Sequence, residues 1–202
     1  MNSFTAPVCT ARKVSAPDWS TIEPLQLNET GWLEPTGIEA SAKICHNGDC
    51  IFVRLEAIES EIRETLTDPL SQVCEDSCVE FFIAPDTSDE RYINFEWNPL
   101  GTLYLGFGGE RATRMRLIVK KPNELFAPAP FKTESGWGIE FKIPAQFIRS
   151  FFPEFELKGA CACNFYKCGD CTPKAHYLAW SVPKTERPDF HRREFFGTLN
   201  FE

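Results

Sequence analysis

The chain has 202 residues, 43% of them apolar and 25% charged, with 21 Lys and Arg against 29 Asp and Glu for a net charge of −8. That composition excludes wholesale disorder, and the acidic balance excludes the phosphate-tracking surface that nucleic acids require. No run approaches the roughly 18 apolar residues of a membrane span, and the first segment lacks the sectors of a signal peptide. The sequence therefore predicts one soluble, cytoplasmic domain over residues 1–202, with no nucleic-acid or membrane partner and no signature of oligomeric state.

Taken in chain order, the first signal is Cys45 and Cys50 flanking His46-Asn47-Gly48-Asp49, where Asn-Gly predicts a two-residue type I′ turn that sets the two cysteines opposite each other. CIFVRLEAI follows from Cys50, with Ile51, Val53, Leu55 and Ala57 on one face of a strand. CVEFFI, from Cys78 to Ile83, puts Val79, Phe81 and Ile83 on one side and Glu80 on the other, and Pro85 closes it. YINFEWN, from Tyr92 to Asn98, alternates Ile93, Phe95 and Trp97 with Tyr92, Asn94 and Glu96; after Pro99-Leu100-Gly101, TLYLGFG returns as the second arm of a hairpin. Residues 122–130 (PNELFAPAP) read as a long crossing loop. Trp137, Ile139, Phe141 and Ile143 alternate on a further strand that ends at Pro144. AQFIRSFF, from Ala145 to Phe152, is the one helical segment, and strands are predicted from about Ala160 to Lys167, Tyr177 to Val182 and Glu194 to Phe201. The fold class is thus all-β: two antiparallel sheets packed as a β-sandwich, with one short connecting helix. Parity assigns Trp97 and Trp137 to the core. The carboxylates Asp76, Glu80, Glu96 and Glu140 read as members of a solvated sheet face of mixed charge.

The nine cysteines are odd in number, so a complete disulfide framework would leave one thiol unpaired. Cys161-x-Cys163 and Cys168-x-x-Cys171, with His176 close behind, have spacings at which thiolates and an imidazole can surround zinc. Cys161 and Cys163 at i and i+2 equally share one strand face as small buried hydrophobes. No Gly-x-Ser-x-Gly elbow, phosphate-binding loop, dinucleotide fingerprint or His-Glu-x-x-His helix occurs, and His46, His176 and His191 are scattered. The expectation is a protein that is not an enzyme and has no cofactor.

The ordered set Asp76-Ser77-Cys78-Val79-Glu80-Phe81-Phe82-Ile83, Tyr92 to Gly101, Trp137 to Pro144, Asn164-Phe165-Tyr166-Lys167, Trp180-Ser181, and Phe190-His191 with Phe196-Gly197 resembles the family 9 carbohydrate-binding modules. In particular it is similar to the free-standing family-9-like proteins of bacteria, over roughly residues 38–201. The resemblance implies a two-sheet sandwich related to the DOMON fold, with non-catalytic binding of mono- or oligosaccharides, often at the reducing end of a glycan. It also implies association with glycoside hydrolases and carbohydrate catabolism. Carried over residue by residue, it points to Trp180 as one plate of a two-tryptophan clamp, Glu80 as a holder of sugar hydroxyls and Asn94 as a polar ligand position. The second plate of that clamp falls just before Asp76, where Gln72-Val73-Cys74-Glu75 offers no aromatic side chain. On a regular strand Leu178 and Val182 share a side with Trp180, so Tyr177, of opposite parity, is the substitute plate, and His191 sits where it can line the same end of the sandwich. The alternative is a metal- or thiol-dependent structural or regulatory protein built on Cys161, Cys163, Cys168 and Cys171, with sugar binding lost. A haem reading taken from the DOMON relationship ranks last, because Met115 is the one methionine after Met1 available as an axial ligand.

Overall fold

The computed structural model describes residues 5–28, 30–33 and 37–202. Among them run β1 (Val8–Lys13), β2 (Leu25–Gln26), β3 (Glu39–His46), β4 (Cys50–Ile58), β5 (Cys78–Ala84), β6 (Tyr92–Trp97) and β7 (Leu103–Gly108). They continue with β8 (Met115–Arg116), α1 (Pro122–Phe126), β9 (Ala129–Lys132), β10 (Gly136–Pro144), α2 (Ala145–Arg149), β11 (Gly159–Cys168), β12 (Tyr177–Ala179) and β13 (Gly197–Phe201). The first sheet has the order β8-β7-β6-β5-β11-β13-β1, the second β1-β3-β4-β10-β9, with β12 added to β11 and β2 to β3.

The strand periods place the core. Val79, Phe81 and Ile83 of β5, Ile93, Phe95 and Trp97 of β6 and Phe165 of β11 are buried against Val53 and Leu55 of β4 and Trp137, Ile139 and Phe141 of β10. Each such side chain contributes about 1.5–3 kcal/mol by leaving water. Trp97 and Trp137 are both fully buried, as their parity predicts. The architecture is the expected all-β sandwich, with four local corrections. Residues 122–130 are no simple loop: Pro122 opens α1, so the structure has two short helices, and β9 begins at Ala129. The turn after β3 is displaced by one residue, because Asn47 N bonds Cys50 O and Gly48, at φ 97°, takes the first central position. Cys45 consequently pairs with Phe52 rather than with Cys50. The strand from Tyr177 ends at Ala179, and the last one begins only at Gly197, after a turn of 3-10 helix over Arg193–Phe195.

The fourth correction concerns the antiparallel reading. β1 runs parallel to both its neighbours: Val8 to Ala11 register with Thr198 to Phe201 of β13, and Arg12 and Lys13 with Cys45 and His46 of β3. One strand thus belongs to both sheets and closes one side of the sandwich.

A polar cavity on the outer face of the first sheet

The outer face of the first sheet is not the solvated surface expected of it. Phe82, Tyr92, Tyr166, Phe190 and Phe196 form a second buried cluster there, because the segments around residues 72–74 and 182–196 lie over the strands. Glu80 and Glu96 are consequently 3% and 6% exposed and Asp76 is fully buried, whereas Glu140, on the other sheet, stays half-exposed.

Strand register arranges this face in rows. Tyr166, Glu80, Glu96 and Tyr104 stand side by side across β11, β5, β6 and β7. In the next row Tyr177, Cys168 and Cys78 cross β12, β11 and β5. Loops close these rows into a cavity of about 390 Å³, whose walls add Cys74, Arg111, Arg114, Asp170, Asp189 and His191 to Glu80, Glu96 and Tyr177. That volume falls in the ~300–1,000 Å³ range of small-ligand pockets. A cleft of about 490 Å³ at the edge of the second sheet, between Ile58 and Lys132, has no aromatic side chain in its wall.

Two carboxyls side by side out of water repel each other. Burial, then the neighbouring Glu96, pushes Glu80 well above the usual carboxylate range. Burial raises Glu96 to about 7, against the hydrogen bond from Asn94 and the charges of Arg114 and Arg116. A protonated carboxyl beside an ionised one offers a donor and an acceptor in one row. Asn94 is fully buried and works from behind the wall: its Nδ2 donates to Glu96 Oε1 at 2.7 Å, and its Oδ1 accepts from Arg114. Gly106 lies beneath it, and a methyl group there would collide with Oδ1. Arg114 donates to Gly108 O at 2.5 Å and stacks 3.9 Å from the centre of the Tyr92 ring.

Of the residues singled out in the sequence, Glu80, Tyr177 and His191 meet in this cavity, and Asn94 supports it. Trp180 does not reach it. β12 alternates Tyr177 and Ala179 outward with Leu178 inward, and the Trp180 ring follows Leu178, packing against Phe165 and over Gly197. Tyr177 and Phe190 nonetheless give the cavity aromatic walls, and Trp32 packs against both at ring-centre distances of 6.1 and 5.7 Å, held by its Nε1 donating to Thr185 O at 2.9 Å. Arg111, Arg114, Asp170 and Asp189 sit on connecting segments outside the strands, where no periodicity marks them, whereas Glu96 was legible as an outward position of YINFEWN. The four cysteines considered for zinc do not converge. Cys161 and Cys163 face the core between the sheets, Cys168 faces the cavity on the other side, and Cys171 is exposed.

His191 is held by its Nδ1, which shares a hydrogen bond of 2.9 Å with the Tyr92 hydroxyl. Burial, then Arg114 and Arg111, depress its pKa from 6.5 to about 3. The unfolded ring takes up its proton near pH 6.5 and the folded one only near 3, so this contribution to stability is present above 6.5 and lost as pH falls through that window. Unfolding free energies of wild type and His191→Phe, followed from pH 7 to pH 5, are expected to converge by about 2 kcal/mol as the wild type weakens. Parallel curves would mean that the ring titrates normally in the folded protein.

A two-layer sandwich with a closed apolar core and a polar cavity with aromatic walls on one outer face has the architecture of a small-ligand-binding module. The model of carbohydrate-binding family 9 matches residues 17–201, and the chain belongs to that family, whose modules bind carbohydrate without chemistry of their own. Among solved structures, a candidate carbohydrate-binding protein from Bacteroides uniformis ATCC 8492 is similar at 29% identity and TM-score 0.85, over 98% of this chain and 100% of that one. A family 9 module from Caldicellulosiruptor kristjanssonii, in complex with cellotriose, shares the fold at 10% identity and TM-score 0.67, over 96% of this chain and 93% of that one. Its complex with glucose gives the same identity and TM-score over 97% and 96%. No curated protein matches the chain.

Proposed function

We propose that the cavity lined by Glu80, Glu96, Arg114, Tyr177 and His191 binds the end of a glycan, without catalysis, in a protein that serves carbohydrate catabolism. The observation that carries this reading is the pair of aromatic walls Tyr177 and Phe190, against which Trp32 packs, beside buried carboxyls and a guanidinium. A pyranose presents C–H bonds on its faces and hydroxyls at its edge, so it pairs with a plate on one side and with fixed donors and acceptors around it. A depression of about 500 Å³ shares Arg111, Asp189 and His191 with the cavity and leads toward Glu90 and Arg192. It gives further sugar units a way out, with the terminal unit in the deeper cavity. Glucose and cellotriose, the ligands of the Caldicellulosiruptor kristjanssonii module, are the natural first probes.

Titration calorimetry of the intact chain against glucose, cellotriose and a panel of other oligosaccharides tests the reading. Tyr177→Ala is expected to weaken binding about tenfold, the equivalent of one stacking surface. Trp180→Phe, on the core side of β12, is expected to leave affinity within about twofold. No heat at millimolar concentration across the panel would defeat the proposal, and loss of binding in Trp180→Phe alone would move the site to the other face.

A further inference from the structure

The register of β5 and β11 does more than pave the cavity floor. Cys78 and Cys168 stand directly opposite each other on adjacent antiparallel strands, and Glu80 is the next residue on the same face of β5. The two Sγ atoms and a Glu80 carboxylate oxygen all lie within 4.8 Å of one another. We propose that Cys78, Glu80 and Cys168 form a site for a borderline-soft divalent cation of the zinc class, with its open position facing the cavity. This assignment rests on strand geometry and not on the glycan reading.

Zinc bonds of about 2.3 Å to sulfur and about 2.0–2.2 Å to oxygen put tetrahedral ligands about 3.5 Å apart, so these three atoms need only small side-chain adjustments. Two sulfurs and one carboxylate oxygen select zinc-like ions over calcium or magnesium, which take oxygen ligands. The hydrogen bond that Glu80 accepts here comes from the Cys168 thiol at 3.1 Å, a weak donor for a buried carboxyl, and a cation is a better partner. Cys168 and Glu80 line the cavity, which supplies the entry path, while Cys78 lies beneath them, fully buried. Three protein ligands leave a fourth position for water or a hydroxyl, the arrangement of an open rather than a closed zinc site. On binding, each thiol releases its proton to solvent, as does the carboxyl where it carries one, and the cation takes the three anionic ligands. The site differs from the Cys161, Cys163, Cys168 and Cys171 grouping suggested by spacing alone, because Cys161 and Cys163 face the core on the other side of the sheet and Cys171 is exposed.

The reduced, chelator-treated chain titrated with Co²⁺ is expected to bind one equivalent and to develop the near-ultraviolet band of thiolate-to-cobalt charge transfer, which Zn²⁺ then displaces. Cys78→Ser and Cys168→Ser are expected to weaken Co²⁺ binding at least about 100-fold, whereas Cys74→Ser and Cys171→Ser leave the band in place. X-ray absorption of the zinc-loaded wild type needs no variant and is expected to show two sulfur ligands at about 2.3 Å. A missing cobalt band, four sulfur ligands or none, or a disulfide joining Cys78 to Cys168 in the purified protein would each overturn the assignment. Sugar titration repeated in chelator keeps the two readings apart: binding that persists there leaves the glycan reading standing whatever the metal result.

Discussion

Lys167→Met is expected to lower the free energy of unfolding by about 3–5 kcal/mol, the cost of leaving one member of a buried ion pair without its partner. Lys167 is 0% exposed, and its Nζ lies 3.1 Å from Glu59 Oε2, itself buried. The ammonium also donates to Cys168 O at 2.9 Å and to His176 Nε2 at 2.6 Å, so Nδ1 of that ring carries the hydrogen and donates to Lys174 O at 2.8 Å. Burial, then Lys167, depresses the His176 pKa to about 4, in keeping with a ring that stays neutral. Glu59 in turn accepts from Trp137 Nε1 at 2.9 Å and from Ser77 Oγ at 2.8 Å. Methionine keeps much of the aliphatic length of Lys167 and removes the charge together with its hydrogen bonds to Cys168 O and His176, so the loss reads the whole polar network rather than packing. Urea unfolding followed by tryptophan fluorescence reads the effect, and a double-mutant cycle with Glu59→Gln is expected to be non-additive by about 0.5–3 kcal/mol. A cost below about 1 kcal/mol would show that water reaches Glu59 once the lysine is gone.

Asp76→Ala is expected to cost about 3 kcal/mol and to weaken sugar binding as well, because one buried carboxylate pins the segment that leads into the cavity wall. Its oxygens accept from Thr65 N at 2.8 Å, Leu66 N at 2.9 Å, Thr65 Oγ1 at 3.0 Å and Asn98 Nδ2 at 3.0 Å, and Arg63 Nε lies 3.3 Å away. Asn98 and Thr102 both donate to Leu66 O at 2.7 Å, while Arg116 caps the carbonyls of Pro69, Leu70 and Ser71. The chain from Arg63 to Ser71 is therefore fastened to the first sheet largely by side chains, and it delivers Gln72 and Cys74 to the cavity wall. Removing Asp76 leaves the Thr65 and Leu66 amides to find water. Amide hydrogen exchange at those two residues is expected to accelerate well beyond that of β13, which pairs with the far end of β11. Equal acceleration everywhere would indicate global destabilisation instead of a released segment.

The strands were legible in the sequence wherever large apolar side chains alternate. Cys50 to Ile58 matches β4 residue for residue, and the inward and outward sets of β5, β6 and β10 follow parity. β1 was not legible, because its buried positions are the small Cys9 and Ala11 and its partner β13 lies at the far end of the chain. β2 and β8, of two residues each, are too short to carry a period. At the proposed site, Glu80, Tyr177 and His191 could be reached from strand parity and family resemblance together. Trp180 followed from the resemblance alone, and it shares the inward parity of Leu178. The burial of Glu80 and Glu96 had no sequence signal, since it comes from loops that fold over the sheet from two distant parts of the chain.

The shared strand β1 has a consequence for how the molecule is made. Its register with β13 joins Val8 to Thr198, so a ribosome must make every residue from Val8 through to Thr198 before the sandwich can close. Until then the cysteine pair of β5 and β11 can already meet, whereas the edges of β1 and β11 wait unpaired for β13. Pairings of such long sequence separation place folding among the slow β topologies, on the millisecond-to-second scale, with open strand edges exposed in the interval. A chaperone that covers strand edges would therefore act on this domain when most of its core is already made.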